Sequence, residues 1–200
     1  RRRSQKRRRP GELLLVATRG GVVTGIGIMG RQVGGACHAG HRIGLSHSGT
    51  RLLPALGGNL IVNPGFETGD LTGWTMVGKG GNVVDHHRSS VNAPHSGRWW
   101  FVSQDSSGIR QRVEVEPGSV LRLSLWRAEG AVDNRRFGMA TVTADDASTL
   151  ATMRLTTPKD TAWHEWTCDF DVPDGVTAVT VTITGNTWIR IDDVSVRQII

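Results

Sequence analysis

An alternation of apolar and polar residues with a period of two constrains the fold of this chain more than any other feature. It begins at about residue 74, and no later stretch has the 3.6-residue period of an amphipathic helix. A period of two is typical of a β-strand with one buried face. The clearest one-sided sets are Ile109, Gln111, Val113 and Val115; Leu121, Leu123 and Leu125; and Trp166, Cys168, Phe170 and Val172. Two sheets packed face to face would bury these sets, so the sequence predicts an all-β sandwich of jelly-roll type.

Turn residues divide the predicted domain, residues 59–200, into ten strand-like runs. The runs cover residues 59–62, 74–77, 99–104, 108–115, 120–128, 137–144, 149–155, 163–172, 177–184 and 188–197. A domain of this length can bury a sizeable core without disulfides. The chain has two cysteines, and Cys168 lies on an apolar face, so we expect it to be a buried free thiol.

Residues 1–58 form a basic, glycine-rich tail that we expect to be disordered. The tail holds eleven Lys or Arg residues against one acidic residue, Glu12, so the chain's net charge of +6 arises there. No aromatic residue lies among the arginines to stack on bases, and nucleic acid is therefore not expected as a partner. The apolar run at residues 13–17 is too short for a clear signal peptide, and we expect no membrane span.

The stretch from Asn59 to Trp74 reads NLIVNPGFETGDLTGW, in which proline and several glycines predict turns. Phe66 and Trp74 are suited to anchor the two sides of a loop. Glu67 places a carboxylate beside backbone carbonyls that a turn leaves unpaired. Carboxylate and carbonyl oxygens are the ligands that Ca²⁺ prefers, so this stretch is a candidate site for a hard cation.

This stretch resembles the first strand of the carbohydrate-binding modules of families 4, 9 and 22. The matching positions are Asn59-Leu60, Asn63, Gly65-Phe66-Glu67, Gly69 and Gly73-Trp74. Further motifs of these modules are similar to residues 96–99, 108–113, 117–126, 163–173 and 189–196, so the resemblance extends over about residues 59–197. It implies a galactose-binding-like jelly roll that binds a polysaccharide or glycan without catalysis. It also implies a monomeric module, extracellular or at the cell surface, that holds an attached hydrolase near its substrate or anchors a surface protein.

The resemblance implies one structural calcium, held by Glu67, an acid of the closing motif and backbone carbonyls. The first and last strands of a jelly roll run side by side, so Glu67 can meet Asp192 or Asp193. Because Val194 and Val196 need the core while Ile189, Ile191 and Asp193 share a face, a bulge is expected near Asp192, which we favour as the ligand. In the alternative interpretation, Glu67 and Asp192 only accept backbone N–H bonds.

Seven tryptophans and no tyrosine occur in the chain, and tryptophan rings suit stacking on sugars. Trp74, Trp99, Trp163 and Trp166 stand at framework positions of the resembling modules and are expected in the core. Trp126 lies opposite the face of Leu121, Leu123 and Leu125. The resemblance implies that its strand lines the concave sheet that forms the glycan groove.

Two further tryptophans, Trp100 and Trp188, are out of phase with neighbouring core positions. They can either extend a carbohydrate-binding surface or cover a sheet edge. Arg122, Arg136 and Gln104 offer planar hydrogen-bonding groups for sugar hydroxyls. The candidate carbohydrate-binding residues are therefore Trp126, Trp100, Trp188, Arg122, Arg136 and Gln104.

An enzymatic function is not expected from the motifs. The adjacent acids Asp145-Asp146 and Asp192-Asp193 would point to opposite faces of a strand and cannot flank one glycosidic bond. The sequence contains no G-x-S-x-G, H-E-x-x-H or P-loop motif. Two alternatives remain open: a structural or adhesive jelly roll of a surface or phage-tail protein, and a fragment of a glycoside hydrolase with a carboxylate pair about 5 to 10 Å apart.

Overall fold

The computed structural model of the protein describes residues 57–88, 92–129, 137–156 and 160–199. These ranges contain ten β-strands and one short 3₁₀-helix, His86–Arg88, and no α-helix. The strands are β1 Thr75–Val77, β2 Gly81–Asp85, β3 Trp99–Ser103, β4 Gly108–Glu114, β5 Val120–Glu129, β6 Phe137–Ala144, β7 Thr149–Thr156, β8 His164–Asp171, β9 Ala178–Gly185 and β10 Ile189–Gln198. The tail predicted to be disordered lies outside the described residues, except for its last two glycines.

The strands form two five-stranded sheets in which every pairing is antiparallel. The first, called sheet A, has the order β1-β4-β9-β6-β7, and the second, called sheet B, has the order β2-β3-β10-β5-β8. The inward sides of both sheets supply one core cluster that includes Ile109, Leu125, Val181 and Ile191. The predicted β-sandwich is therefore confirmed.

Nine of the ten predicted runs coincide with strands to within one residue at each end. The run at residues 59–62 is different, because it joins neither sheet ladder. It instead lies beside β10, where the Leu60 N–H donates to the Val196 carbonyl at 2.9 Å and the Asn59 side chain bonds to Val194 and Val196. Strand β2 was not predicted, since glycines crowd its start and it has only two adjacent apolar residues instead of an alternation.

The outward faces of the two sheets differ in exposure. On sheet A, buried and half-exposed residues alternate along β6 and β9. On sheet B, both faces of β3 and of the first half of β10 are buried. The outward side chain of Trp100 is 1 % exposed and that of Arg190 is 4 % exposed. The outer side of sheet B is therefore covered along β3 and the first half of β10, whereas the outward residues of β8 are exposed.

Arg190 forms hydrogen bonds that hold two loops against the outer side of sheet B. Its guanidinium donates to the carbonyls of Ala93 at 3.1 Å and Thr161 at 2.7 Å, which belong to two different loops, and to the Glu129 carbonyl at 2.8 Å. It also lies over the Trp163 ring at 4.9 Å, and the Trp163 indole N–H donates to the same Ala93 carbonyl. Burial of this guanidinium lowers the pKa of Arg190 to about 10, so it stays charged at neutral pH.

Cys168 is buried on the core side of β8 and is disulfide-bonded. The expectation of a free thiol at this position is therefore wrong. An alternation of apolar residues indicates that a cysteine is buried, but it carries no information about whether the sulfur has a covalent partner.

We predict that Arg190→Met lowers the free energy of unfolding by about 2 to 4 kcal/mol, because the buried Glu129 carbonyl loses its guanidinium donors and the partly buried hydrogen bonds to Ala93 and Thr161 are lost. Chemical denaturation measures the change. Arg197→Met is the matched control on the same strand, since Arg197 is exposed and its side chain bonds only to Ser195. Equal stability of the two variants would contradict the fastening role of Arg190.

Candidate functional site

The opening and closing motifs of the domain meet at one place. The Val194 N–H donates to the Pro64 carbonyl at 3.0 Å, which sets the opening turn against β10. The pairing of β10 with β5 shifts register between Asp192 and Ser195, and Asp193 has a φ of +45°. The predicted bulge near Asp192 is therefore confirmed, and it places Asp192 and Asp193 beside the opening turn.

Asp192 is a buried carboxylate that organises the neighbouring loop. It is 0 % exposed and accepts the backbone N–H groups of His95 at 2.8 Å, Ser96 at 3.2 Å and Asp193 at 2.8 Å. Burial, followed by the negative charge of Asp193, raises the pKa of Asp192 to about 7. The three N–H donors oppose this rise but do not cancel it.

Glu67 holds the next part of the same loop. Its carboxylate accepts the backbone N–H groups of Arg98 at 2.9 Å and Trp99 at 3.0 Å, where β3 begins. Glu67 and Asp192 together thus bind the backbone of residues 95–99. This is the arrangement of the alternative interpretation, in which both carboxylates accept backbone N–H bonds.

Gly65 keeps a space open between these acids. A Cβ atom at Gly65 would lie 3.1 Å from Asp193 Oδ1, 3.4 Å from Asp192 Oδ1 and 3.7 Å from Glu67 Cγ. The donor set around the space consists of oxygen, as a hard cation requires. Within the described part of the chain, however, no three His, Cys, Asp or Glu residues are arranged so that they alone could hold a metal ion. Backbone carbonyls or water would have to complete a calcium site here.

The ring of Trp126 is covered on one face. His95 stacks on it with the ring centroids 3.7 Å apart and an angle of 13° between the planes. The imidazole is held in place because His95 Nδ1 lies 2.6 Å from Asp193 Oδ2. Trp126 is half-buried as a result, and a sugar could reach at most its other face.

The remaining predicted binding residues do not form one surface. Arg122 is on the outer side of sheet B in a two-bond ion pair with Asp169, at 2.6 and 2.9 Å. The ring of Trp100 is buried and has no open face for a sugar, so we leave it out of the proposed surface. Gln104 is half-buried in the turn after β3. Arg136 lies outside the described residues.

Trp188 is 52 % exposed, the most exposed aromatic ring in the part of the chain that the structure describes. It lies in the turn between β9 and β10, with a φ of +44°. Asn186 in the same turn bonds to Phe137 twice: its side-chain oxygen accepts the Phe137 N–H at 2.9 Å, and its own N–H donates to the Phe137 carbonyl at 3.0 Å. Trp188 and Phe137 therefore lie at the same end of the sandwich.

Phe137 was not among the predicted binding residues, although it is 40 % exposed. Arg154 of the neighbouring strand β7 stacks over its ring, with the guanidinium 5.0 Å from the centroid. The sequence did contain a signal for this position. Phe137 is in phase with Met139 and Thr141 and out of phase with the core residues Ala140 and Val142, so the alternation places it on the outer side.

The outer face of sheet A continues from Phe137 as a surface rich in threonine. Cross-strand pairing sets residues of four strands in one row, namely Arg110, Thr182, Thr141 and Thr152. The next row contains Thr184, Met139 and Arg154. The threonines of these rows are half-exposed and the arginines are exposed. This face offers hydroxyl and guanidinium groups, with Phe137 at one end and Trp188 in the turn at the same end of the sandwich.

One ion pair joins the loop at residues 95–99 to the end of β2. Arg98 donates to both carboxylate oxygens of Asp85, at 2.8 and 2.6 Å, and the His87 N–H donates to Asp85 at 3.0 Å. These hydrogen bonds, that of Arg98 above all, hold the pKa of Asp85 well below its ordinary value of 3.8. Glu67 accepts the backbone N–H of Arg98, so the Glu67 carboxylate and the ion pair with Asp85 hold the same residue.

Comparison with known families gives one family match. A family model described as a carbohydrate binding domain matches residues 58–188. No curated protein matches the sequence. The described residues contain no helix long and apolar enough to span a membrane.

Three solved structures illustrate the fold. TmCBM61, solved in complex with β-1,4-galactotriose, has a TM-score of 0.57 and 21% identity, covering 70% of this chain and 98% of that chain. The CBM22-1 xylan-binding domain of Paenibacillus barcinonensis Xyn10C has a TM-score of 0.51 and 16% identity, covering 73% and 98%. Tailspike protein 4 of bacteriophage CBA120 has a TM-score of 0.52 and 15% identity, covering 70% of this chain and 21% of that chain. At these identities the likeness shows the shared fold alone.

We predict that Asp85→Asn lowers the free energy of unfolding at neutral pH and lowers it less in acid. Because the pKa of Asp85 is lowered in the folded protein, its stabilising effect is fully present above pH 3.8 and is lost as the pH falls below that value. The free energy of unfolding of the variant should therefore lie below that of the unsubstituted protein at neutral pH, and the difference should narrow in acid. Urea denaturation across the pH range measures it. Asp174→Asn, at an exposed turn residue, is the control, and a difference that does not change with pH would contradict the role of the ion pair.

Proposed function

The chain belongs to the family of carbohydrate binding domains whose model matches residues 58–188, and from this we propose that it binds a polysaccharide or glycan, without catalysis, on the outer face of sheet A. The observation that carries this placement is the pair of exposed aromatic rings, Trp188 and Phe137, at one end of that face. Aromatic rings bind sugars by stacking on the apolar C–H surface of the pyranose, and this requires an open ring face.

The polar groups beside the aromatic pair fit the same ligand. Hydroxyl groups such as those of Thr182, Thr141 and Thr184 both donate and accept hydrogen bonds, as sugar hydroxyls do. Because they lie on paired strands, their spacing is set by the sheet and does not have to be ordered when a ligand binds. A preformed surface of this kind serves binding and needs no transition-state chemistry.

Sheet B is a weaker candidate for the glycan surface. His95 covers one face of Trp126, Asp169 engages Arg122, and the ring of Trp100 is buried. Each group predicted to bind sugar on that sheet therefore already has a partner within the protein. A ligand would have to displace these contacts before it could bind.

We place the domain outside the cell or at its surface, as an accessory module that keeps an attached hydrolase near its polysaccharide. The family match supports the sugar-binding part of this role. The accessory part is favoured because the acids of the opening and closing motifs, Glu67, Asp192 and Asp193, accept hydrogen bonds from the loop at residues 95–99 and so have a structural role.

We predict that Trp188→Ala weakens polysaccharide binding about five-fold or more, since loss of one stacked ring costs about 1 kcal/mol. Affinity electrophoresis of the full chain against β-glucan, xylan, mannan, galactan and polygalacturonate, with a chitin pull-down, measures it. Phe137→Ala should act in the same direction. Trp126→Ala is the matched control and should leave retardation unchanged, because its ring is half-buried against His95.

The reverse result, loss of binding in Trp126→Ala with Trp188→Ala unaffected, would move the glycan to sheet B. If no polymer retards the folded, unsubstituted protein, the sugar-binding proposal fails. A structural or adhesive role would then be the better account of the fold.

We also propose that one calcium ion binds beside Gly65, with Glu67 and Asp192 among its ligands. Two observations support it: the space between the acids that a side chain at Gly65 would fill, and a buried Asp192 next to Asp193, whose like charges a divalent cation would neutralise. When bound, the ion would fix the loop at residues 95–99 against the opening turn. Carboxylate oxygens that accept N–H bonds keep lone pairs for such a ligand role.

We predict that calcium at one hundred times its dissociation constant raises the free energy of unfolding by about 2.7 kcal/mol, and that EDTA reverses the effect. Thermal unfolding with calcium, with magnesium and with EDTA measures it. Asp192→Asn should abolish the calcium effect, while it retains a side-chain oxygen to accept N–H bonds. Glu165→Gln, at an exposed residue of β8, is the control. An unfolding temperature that does not respond to calcium would remove this proposal and leave the N–H-binding role of both carboxylates.

A further inference from the structure

We propose that the glycan bound on the outer face of sheet A is an anionic one whose sugars carry carboxylate groups, as in a polyuronate. This inference rests on the proposed sugar-binding function and adds the chemical class of the ligand. The observation behind it is the charge of the face. Two exposed arginines, Arg110 on β4 and Arg154 on β7, have no acidic partner there.

The ionisable residues of this face, taken from the outward positions of its five strands, are Arg110, Arg112, Glu114 and Arg154. Arg112 is engaged, because it forms ion pairs with Glu114 and with Asp145 at 3.4 Å. Among the described residues, Arg154 contacts the Phe137 ring and no acid, and Arg110 has neither a hydrogen-bond nor an ion-pair partner. The face therefore carries two positive charges that no described acidic residue neutralises.

This charge contrasts with the rest of the domain. Residues 59–200 contain 13 Lys or Arg residues and 17 Asp or Glu residues, so the domain as a whole is negative. Near the opposite sheet, Arg122 pairs with Asp169 and Arg98 pairs with Asp85, whereas Arg197 bonds only to Ser195. A polyanion would be repelled from most of the domain surface and attracted to the outer face of sheet A, where two arginines without acidic partners lie in neighbouring rows.

The two arginines flank the threonine rows instead of lying together. Strands β9 and β6 lie between β4 and β7, so three interstrand spacings separate the two strands that carry the arginines. At the usual spacing of neighbouring strands this distance is about 14 Å. Thr182 and Thr141 occupy the interval in the same row as Arg110. A sugar chain that crosses the strands over these hydroxyls would meet a guanidinium group on each side.

The chemistry of arginine favours carboxylates for this role. A guanidinium group is planar and donates two parallel hydrogen bonds to one carboxylate, a geometry that a single sugar hydroxyl cannot match. Stacking of Arg154 on Phe137 restrains its side chain before the ligand binds, which reduces the entropy lost on binding. Phe137 and Trp188 at the end of the face remain available for a sugar ring.

The test compares short oligogalacturonates with the same oligomers after reduction of their carboxylates to hydroxymethyl groups, which gives neutral galacto-oligosaccharides. Isothermal titration with the full chain measures both affinities. We expect the acidic oligomers to bind at least ten-fold more tightly, and the double variant Arg110→Gln/Arg154→Gln to lose roughly ten-fold for them alone. Arg112→Gln and Arg122→Gln are matched controls, because both arginines are exposed but paired within the protein.

The arginine-rich tail also attracts polyanions, but it is the same in every variant, so its contribution cancels when the variants are compared. Equal losses in the double variant and the two controls would overturn the inference, as would an equal loss of affinity for dextran sulfate, a polyanion without carboxylates, in the double variant. Equal affinity for acidic and reduced oligomers, lost in Trp188→Ala, would overturn the inference and leave sugar binding on this face intact. No effect of Trp188→Ala on either oligomer, in a protein that binds one of them, would instead count against the proposed surface itself.

Discussion

The need to satisfy buried polar groups on strand β10 determines much of this structure. β10 lies at the centre of sheet B, and its outward residues Arg190 and Asp192 are both removed from water. A buried charge is tolerated only with partners, and each residue finds them in segments that lie over the sheet. Arg190 binds the carbonyls of Ala93 and Thr161, and Asp192 binds the N–H groups of His95 and Ser96. The cover of sheet B is thus fixed by hydrogen bonds that the buried charges require.

This cover has a consequence for the other sheet. With loops over β3 and the first half of β10, the outer side of sheet B in the described residues is exposed along β8 and at Arg122 and Arg197. The residues of sheet A alternate between the core and a half-exposed surface, where Arg110 and Arg154 have no acidic partner, although Arg154 stacks on Phe137. The same strand alternation therefore supports different roles: sheet B carries structural loops over part of its outer side, and the outer face of sheet A is the surface that we propose for a ligand.

The junction beside Gly65 joins the two ends of the domain and illustrates how one set of groups can serve two purposes. Glu67 from the opening motif and Asp192 from the closing motif hold the loop at residues 95–99 by accepting its N–H groups. Burial raises the pKa of Asp192, and the negative charge of Asp193 adds to the rise. A cation beside Gly65 would relieve the repulsion between Asp192 and Asp193, which is the electrostatic argument for the calcium site that we propose.

The sequence by itself determined the fold class, nine of the ten strands, the bulge near Asp192 and the meeting of the opening and closing motifs. These features follow from alternation and turn residues, which act over a few positions along the chain. The exposure of Trp126 could not be predicted in this way, because His95 covers it from a loop 31 positions earlier in the chain. Phe137 and Trp188 are brought to the same end of the sandwich only through Asn186, and Arg110 and Arg154 share one face only because strands distant in sequence become neighbours. Periodicity fixes which side of a strand a residue faces, whereas only the tertiary structure decides what lies over that side.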